Sequence, residues 1–452
     1  MTVVIEGCAV VTMAADHSEI GSGHVVVEDN RIAAVGEGPV VGYDGARRVD
    51  GTGCLLTPGL VNTHHHLYQW VTRGLAADDT LFDWLTTLYP VWAGIDEEAV
   101  HVAAQGGLAW LARTGCTTAS DHHYVFPRDG GDLLAAEISA AGSVGLRFHP
   151  CRGSMDLGRS AGGLPPDSVV EDRDAVLAAT EAAIGRWHDP APDAMVRVAV
   201  GPCSPFSVTG DLMREAAELA RQHGVRLHTH LAETADELDF CRERFGCTPL
   251  EYAESRGWSG PDVWYAHGIH FDDLEVKRLG AAGTGVAHCP SSNARLGAGI
   301  ARAADLRAAG APVGLGVDGP ASNEASSLLE EVRHALLFAR AKGGPQALTV
   351  RDALEMATLG GARVLGRADE IGSVEPGKLA DLALWRLDTL PHADIVDPVA
   401  ALVLGAPPPL ELLLVDGRAV VEHDRAVTVD EPELAVRARR VHEHLAGKAG
   451  LR

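Results

Sequence analysis

From Pro58 onward, apolar runs of five to seven residues alternate with amphipathic stretches, and eight such units can be counted before residue 320. The apolar runs read as strands ending near His64, Ser120, His149, Val200, His230, Ala266, His288 and Asp318. The stretches between them predict helices over 96–115, 132–141, 172–187, 209–223, 234–245, 272–282 and 302–309. Asp96-Glu97-Glu98 supplies the first of these with a cap and an acidic first turn, and Gly115 closes it. Strands and helices alternating at this spacing predict parallel βα units, and eight of them predict a closed barrel. Two connections break the regularity, 67–95 with Trp70, Trp84, Tyr89 and Trp92, and the Gly- and Pro-bearing 151–171. Helices follow near 324–341 and 349–365.

The two chain ends have a different grammar. Residues 3–12 and 24–35 alternate as strands do, the latter folding about Asp29-Asn30, and 48–56 is extended. ADLALWRL (380–387) and LLLVDGRAVVEH (412–423) resume it, with a hairpin signal at Asp416-Gly417. The fold expected is therefore α/β, a (β/α)8 TIM barrel over 59–372. Residues 1–58 and 373–452 would join as a small β-sandwich domain with a terminal helix.

Composition narrows the function. Hydrophobic residues make up 46% and charged residues 22%, the balance of a globular protein. The net charge of −24, from 62 acidic against 38 basic residues, repels phosphate backbones and anionic membranes, so neither a nucleic-acid polymer nor a membrane is an expected partner. No window approaches the ~20 apolar residues of a membrane helix, and MTVVIEGCAVV lacks the layout of a signal peptide. Eight scattered cysteines contain no CxxC pair. A cytoplasmic location is the expectation.

The conspicuous polar residues fall at the ends of the predicted strands. PGLVNTHHHLYQ places His64 and His66 on one face of an extended segment and His65 on the other. The fifth strand offers His228 and His230 followed by Glu233, the sixth His267, and the eighth Asp318. A barrel would bring these to one mouth, where imidazoles and a carboxylate can hold a catalytic metal ion with a position left for water.

The chain resembles the amidohydrolase superfamily, in its cytosine/guanine deaminase-like branch, over nearly its whole length. The resemblance rests on PGLVNTHHH, HTHLAE, AHGIH, AHCPSSN, GVDGPASN and IGSVEPGKLADLALW. HHHLYQW, SDHHYVFP, RFHPCRGSM and GPCSPFSVT are similar to the 8-oxoguanine deaminase subgroup, kin of the s-triazine hydrolases. It implies His64, His66, His230 and Asp318 as metal ligands, His267 beside the attacking oxygen, and Glu233 as proton shuttle. His65 and His228 have no counterpart and are read as packing or support. Binuclear relatives bridge two metals through a carboxylated lysine of the fourth strand. The lysines here are at 277, 342, 378 and 448, so one divalent ion per chain is expected, zinc first and iron(II) second.

The reaction implied is hydrolytic deamination of a free purine-like heterocycle, 8-oxoguanine plus water giving urate and ammonia. The alternatives are an s-triazine aminohydrolase and an isoxanthopterin- or guanine-type deaminase. Gln69, three residues after His66, is a candidate reader of the base, as is Cys203 in GPCSPFS, where guanine deaminases carry an arginine. Trp84 and Trp92 are candidates to cover a planar ring, with aromatic core packing as the competing reading. His123 and Arg152 complete the substrate candidates. A homo-oligomer, dimer or larger, is what the resemblance implies.

Overall fold

The computed structural model describes residues 2–450 and contains the expected closed barrel. Its eight parallel strands are Leu60–Asn62, Cys116–His123, Arg147–Ser154, Ala199–Pro202, Leu227–Leu231, Val263–His267, Gly285–His288 and Val313–Leu315, and each pairs with its neighbour in chain order. The helices Glu97–Arg113, Leu133–Val144, Arg173–Trp187, Gly210–Gln222, Ala235–Phe245, Asp273–Ala282 and Ala303–Ala308 fall within a few residues of their expected positions. Local chemistry explains the agreement. Asp96 accepts from the Ala99 N–H at 2.9 Å, and Thr209, Thr234 and Asp272 cap their helices in the same way. The second and third strands run on to His123 and Ser154, beyond the expected ends at Ser120 and His149. The eighth stops at Leu315, so Asp318 lies just past it.

The connection 67–95, expected to be irregular, is ordered as a 3-10 turn at Leu67–Thr72 and a helix at Leu81–Trp92. That helix buries Leu81, Trp84, Leu85, Leu88, Tyr89 and Trp92, a helical spacing interrupted only by Pro90 in its last turn. It lies over the barrel mouth.

Strands from both ends of the chain hydrogen-bond into one nine-stranded sheet. Leu382–Arg386 pairs antiparallel with Cys54–Pro58 on one side and Leu410–Val415 on the other. Alternation divides its residues: Leu382 and Leu384 join Val25, Val27, Leu412 and Leu414 in a core of the sheet's own. Ala383 and Trp385 face the barrel core. The sheet is pinned by Arg147, at the start of the third barrel strand. Its guanidinium donates to Asp381 at 2.7 and 3.2 Å and to Asp416 at 2.7 Å, with no solvent exposure. No helix among the described residues is long and apolar enough to cross a membrane.

Candidate metal centre

The backbone of His64-His65-His66 continues the first barrel strand. Asp318 donates its N–H to the His64 carbonyl at 3.1 Å, and His122 donates to the His65 carbonyl at 2.8 Å. The eighth and second strands thus grip this segment from either side. The rings of His64 and His66 approach to 4.7 Å, and His65 turns away to pack beside Gly107 of the helix Glu97–Arg113. Asp318 and His267 adopt left-handed backbone conformations, φ 62° and 72°, which are uncommon for non-glycine residues.

Hydrogen bonds assign the imidazole tautomers. His66 Nδ1–H donates to the His122 carbonyl at 2.7 Å, and His230 Nδ1–H donates to the Cys203 carbonyl at 2.7 Å. His228 donates from Nδ1 to the Trp264 carbonyl at 3.0 Å, so its Nε2 is an acceptor. His64 must then donate from Nδ1 to that Nε2, 2.7 Å away. The Nε2 atoms of His64, His66 and His230 are all left bare and point inward. Burial holds His64, His228 and His230 neutral, their pKa values well below the usual imidazole range.

Those bare nitrogens surround a point. His66 Nε2 lies 3.1 Å from His230 Nε2, and Asp318 Oδ1 lies 3.3 Å from both His64 Nε2 and His66 Nε2. Ligand atoms ~2.0–2.1 Å from a tetrahedral zinc are separated by about 3.3–3.4 Å, so this donor set fits such an ion. His64 Nε2 has no hydrogen-bond partner, so it is available to a cation. Ser292 donates to Asp318 Oδ2 at 2.6 Å.

Two groups flank that point. His267 donates from Nδ1 to Asn293 Oδ1 at 2.9 Å, which leaves its Nε2 an acceptor 3.5 Å from Glu233 Oε2. Burial, with the charges of Asp318 and Glu237, pushes the Glu233 carboxyl well above its usual range, so it keeps a proton. Glu237 clamps the turn that presents Glu233, accepting from the Ala232 and Glu233 N–H groups at 2.8 and 2.9 Å. Sequence reading missed Glu237, Ser292 and Asn293. The Thr234-x-x-Glu237 pattern and the AHCPSSN segment were their available signals.

A cavity of about 40 Å3 adjoins these atoms, space for no more than a few waters. Gln69, Trp84 and Cys203 line it, together with Tyr89, Tyr124 and Phe206, which sequence reading did not select. The Gln69 carbonyl oxygen is buried without a partner. Trp92, His123 and Arg152 do not reach the cavity. Trp92 packs edge-on to Tyr68, Trp84 and Tyr89 and donates to Thr72. His123 is held between Glu137 and the Val125 carbonyl. Arg152 pairs with Glu171 and stacks on Phe126, because the third strand's extension carries it past the mouth.

The sequence profile of the amidohydrolase family matches residues 55–420. An 8-oxoguanine deaminase of Pseudomonas aeruginosa is 49% identical, covering 88% of this chain and 89% of its own. An isoxanthopterin deaminase from an unknown prokaryotic organism is 38% identical, covering 96% and 94% respectively. The crystal structure of an atrazine chlorohydrolase from Arthrobacter aurescens TC1 complexed with zinc superposes with a TM-score of 0.93 at 32% identity, covering 97% of this chain and all of that one.

Proposed function

The chain belongs to the amidohydrolase family, and from that premise we propose a mononuclear metal-dependent deaminase of free 8-oxoguanine, releasing urate and ammonia. The observation that carries the metal half is the convergence of bare Nε2 atoms, His66 and His230 being 3.1 Å apart with both Nδ1 hydrogens committed to backbone carbonyls. His64, His66, His230 and Asp318 would hold one zinc ion. A zinc ion bound there would lower the pKa of a water from ~15.7 toward ~7. The 49% identity to an 8-oxoguanine deaminase supports the substrate.

The chain's own groups supply the proton traffic. Asp318 accepts a proton from the attacking water, which His267 Nε2 orients. Glu233, protonated in its buried setting, gives its proton to the ring nitrogen beside the attacked carbon, so that carbon becomes tetrahedral without a full negative charge on the ring. The proton held by Asp318 passes to the exocyclic amine, the carbon–nitrogen bond breaks to release ammonia, and the hydroxyl proton left on the carbon returns to Glu233 as the carbonyl forms. The orphaned Gln69 carbonyl accepts from a ring or amine N–H. A bicyclic base needs more room than the cavity has, so binding requires side chains that line it to move. The similarity to the atrazine chlorohydrolase fold keeps a triazine as the second reading.

The test is steady-state ammonia release by zinc-loaded protein over 8-oxoguanine, guanine, isoxanthopterin and hydroxytriazines. Highest kcat/KM on 8-oxoguanine is expected. Equal or better turnover of a triazine overturns the substrate, and no ammonia from any of them overturns the reaction.

A further inference from the structure

Behind His66 lies a polar cluster that this chemistry leaves unused. Asp121 and His123, at the end of the second barrel strand, meet Glu137 of the helix Leu133–Val144, and all three side chains are fully buried. Asp121 Oδ1 accepts from the Leu67 N–H at 2.6 Å. Glu137 Oε1 lies 2.6 Å from His123 Nδ1, and His123 Nε2 donates to the Val125 carbonyl at 2.9 Å. The other two oxygens, Asp121 Oδ2 and Glu137 Oε2, meet no donor, and ligand atoms of Asp121, His123 and Glu137 all lie within 4.8 Å of one another. Two ionised carboxylates cannot share a buried site without a proton or a cation between them. Burial pushes Glu137 up to about 8, and burial with the Glu137 charge pushes Asp121 well above its usual range.

We propose that Asp121 and Glu137 share a proton, completing a continuous hydrogen-bonded chain from Leu67 through Asp121, Glu137 and His123 to the Val125 carbonyl, and that this chain positions His66 for its metal. A hydrogen on Asp121 Oδ2 donated to Glu137 Oε2 satisfies both orphaned oxygens at once. The triad is then neutral overall, whether the second proton sits on Glu137 or on His123. Its mechanical effect falls on the segment 121–123, which grips His66 on three sides. His122 donates to the preceding carbonyl of His65, the His122 carbonyl accepts from His66 Nδ1, and Asp121 accepts from the following N–H of Leu67. Fixing that segment fixes the carbonyl that keeps His66 Nε2 bare. Asp121, Glu137 and His123 are positioning residues.

The alternative occupant of the triad is a divalent cation, and Asp121→Asn separates the two. An asparagine carbonyl still accepts from Leu67 and its amide still donates to Glu137, whereas it is a far poorer cation ligand. The readouts are zinc affinity by chelator competition and the visible spectrum of the cobalt-substituted protein, which reports ligand geometry. D121N should bind zinc within about threefold of wild type with an unchanged spectrum, and D121A should bind about 10–100-fold more weakly with a shifted one. D121N as weak as D121A, D121A indistinguishable from wild type, or a wild type holding two ions of which D121N loses one would each overturn the proposal. If D121A does not fold, D121N decides alone, zinc retained supporting the shared proton and zinc lost overturning it. The inference rests on His66 being a metal ligand. Wild-type protein that binds no zinc would overturn that reading as well, whereas failure confined to the variants overturns only this one.

Discussion

Replacing His228 by phenylalanine tests how the centre is held. His228 makes no contact with the point where the bare nitrogens meet, yet its Nε2 is the acceptor for His64 Nδ1–H at 2.7 Å, and its ring stacks on Trp264 at 4.3 Å and 11°. Phenylalanine keeps a flat ring over Trp264 and deletes the hydrogen bonds. The His64 N–H is then buried without a partner, at about 1–3 kcal/mol, so the metal-free protein should lose about that much. The metal suffers for a separate reason. Without an acceptor at Nδ1, His64 is free to move its proton to Nε2, the nitrogen that must be bare. Loss of such a supporting partner weakens metal affinity about 10–100-fold, equivalent to about 1.4–2.7 kcal/mol. Chelator competition on demetallated protein measures the affinity, and urea unfolding of the same sample measures the stability. H228Q, whose amide oxygen can still accept, should recover much of the affinity. H228F that binds zinc as tightly as wild type would refute the tautomer reasoning and leave His228 a packing residue.

Glu233→Gln removes the buried proton without removing volume, and turnover should fall about 10²–10⁴-fold with zinc content unchanged; near wild-type turnover in zinc-loaded protein rejects the shuttle. Gly319→Ala would set a Cβ 1.9 Å from Gln69 Oε1, so the amide must swing away. A loss of about tenfold in kcat/KM on 8-oxoguanine with unaltered zinc affinity is expected, from one substrate hydrogen bond of about 1.4 kcal/mol. Arg147→Met strands Asp381 and Asp416 without their cation, which should cost about 3–5 kcal/mol in denaturant unfolding, and under about 1 kcal/mol would mean the pair does not pin the sheet. Chelation should abolish ammonia release and one equivalent of zinc per chain restore it, while a requirement for two contradicts the mononuclear reading.

The barrel was legible because its signals are local. Most barrel helices carry their own side-chain cap, as Asp96 and Thr209 provide, and the strands are short runs bounded by turn residues. Register across 250 residues followed without being read, because a barrel of βα units closes in chain order. What stayed hidden depends on contacts between distant segments. The helix Leu81–Trp92 had the right apolar spacing, but Pro90 and the density of aromatics within 67–95 read as a loop, and only packing on the barrel mouth overrides that. His123 and Arg152 looked equivalent to mouth residues because the second and third strands were expected to stop earlier. Their extension to His123 and Ser154 sends both side chains into neighbouring layers. Glu237 was readable as a capping residue, and its reach to the Ala232 and Glu233 N–H groups instead was not.

The two halves of the site are built by different parts of the chain, and this explains why one was easier to read. The metal half uses strand ends whose tautomers are set by backbone carbonyls, at His122 and Cys203, and by His228. Backbone carbonyls do not change with side-chain substitution, so the tautomers of His66 and His230 are tied to the barrel backbone and only that of His64 to another side chain. The proposed substrate half is the cavity lined by Trp84, Tyr89, Cys203 and Phe206, from the helix over the mouth and the loop after the fourth strand. Those side chains make few obligatory hydrogen bonds, so they can vary without disturbing the metal. A zinc-bound atrazine chlorohydrolase and an isoxanthopterin deaminase can therefore share this architecture at 32% and 38% identity while their names record different substrates. Selectivity in this chain should accordingly respond to substitutions at Trp84, Cys203 and Phe206 while its metal affinity does not.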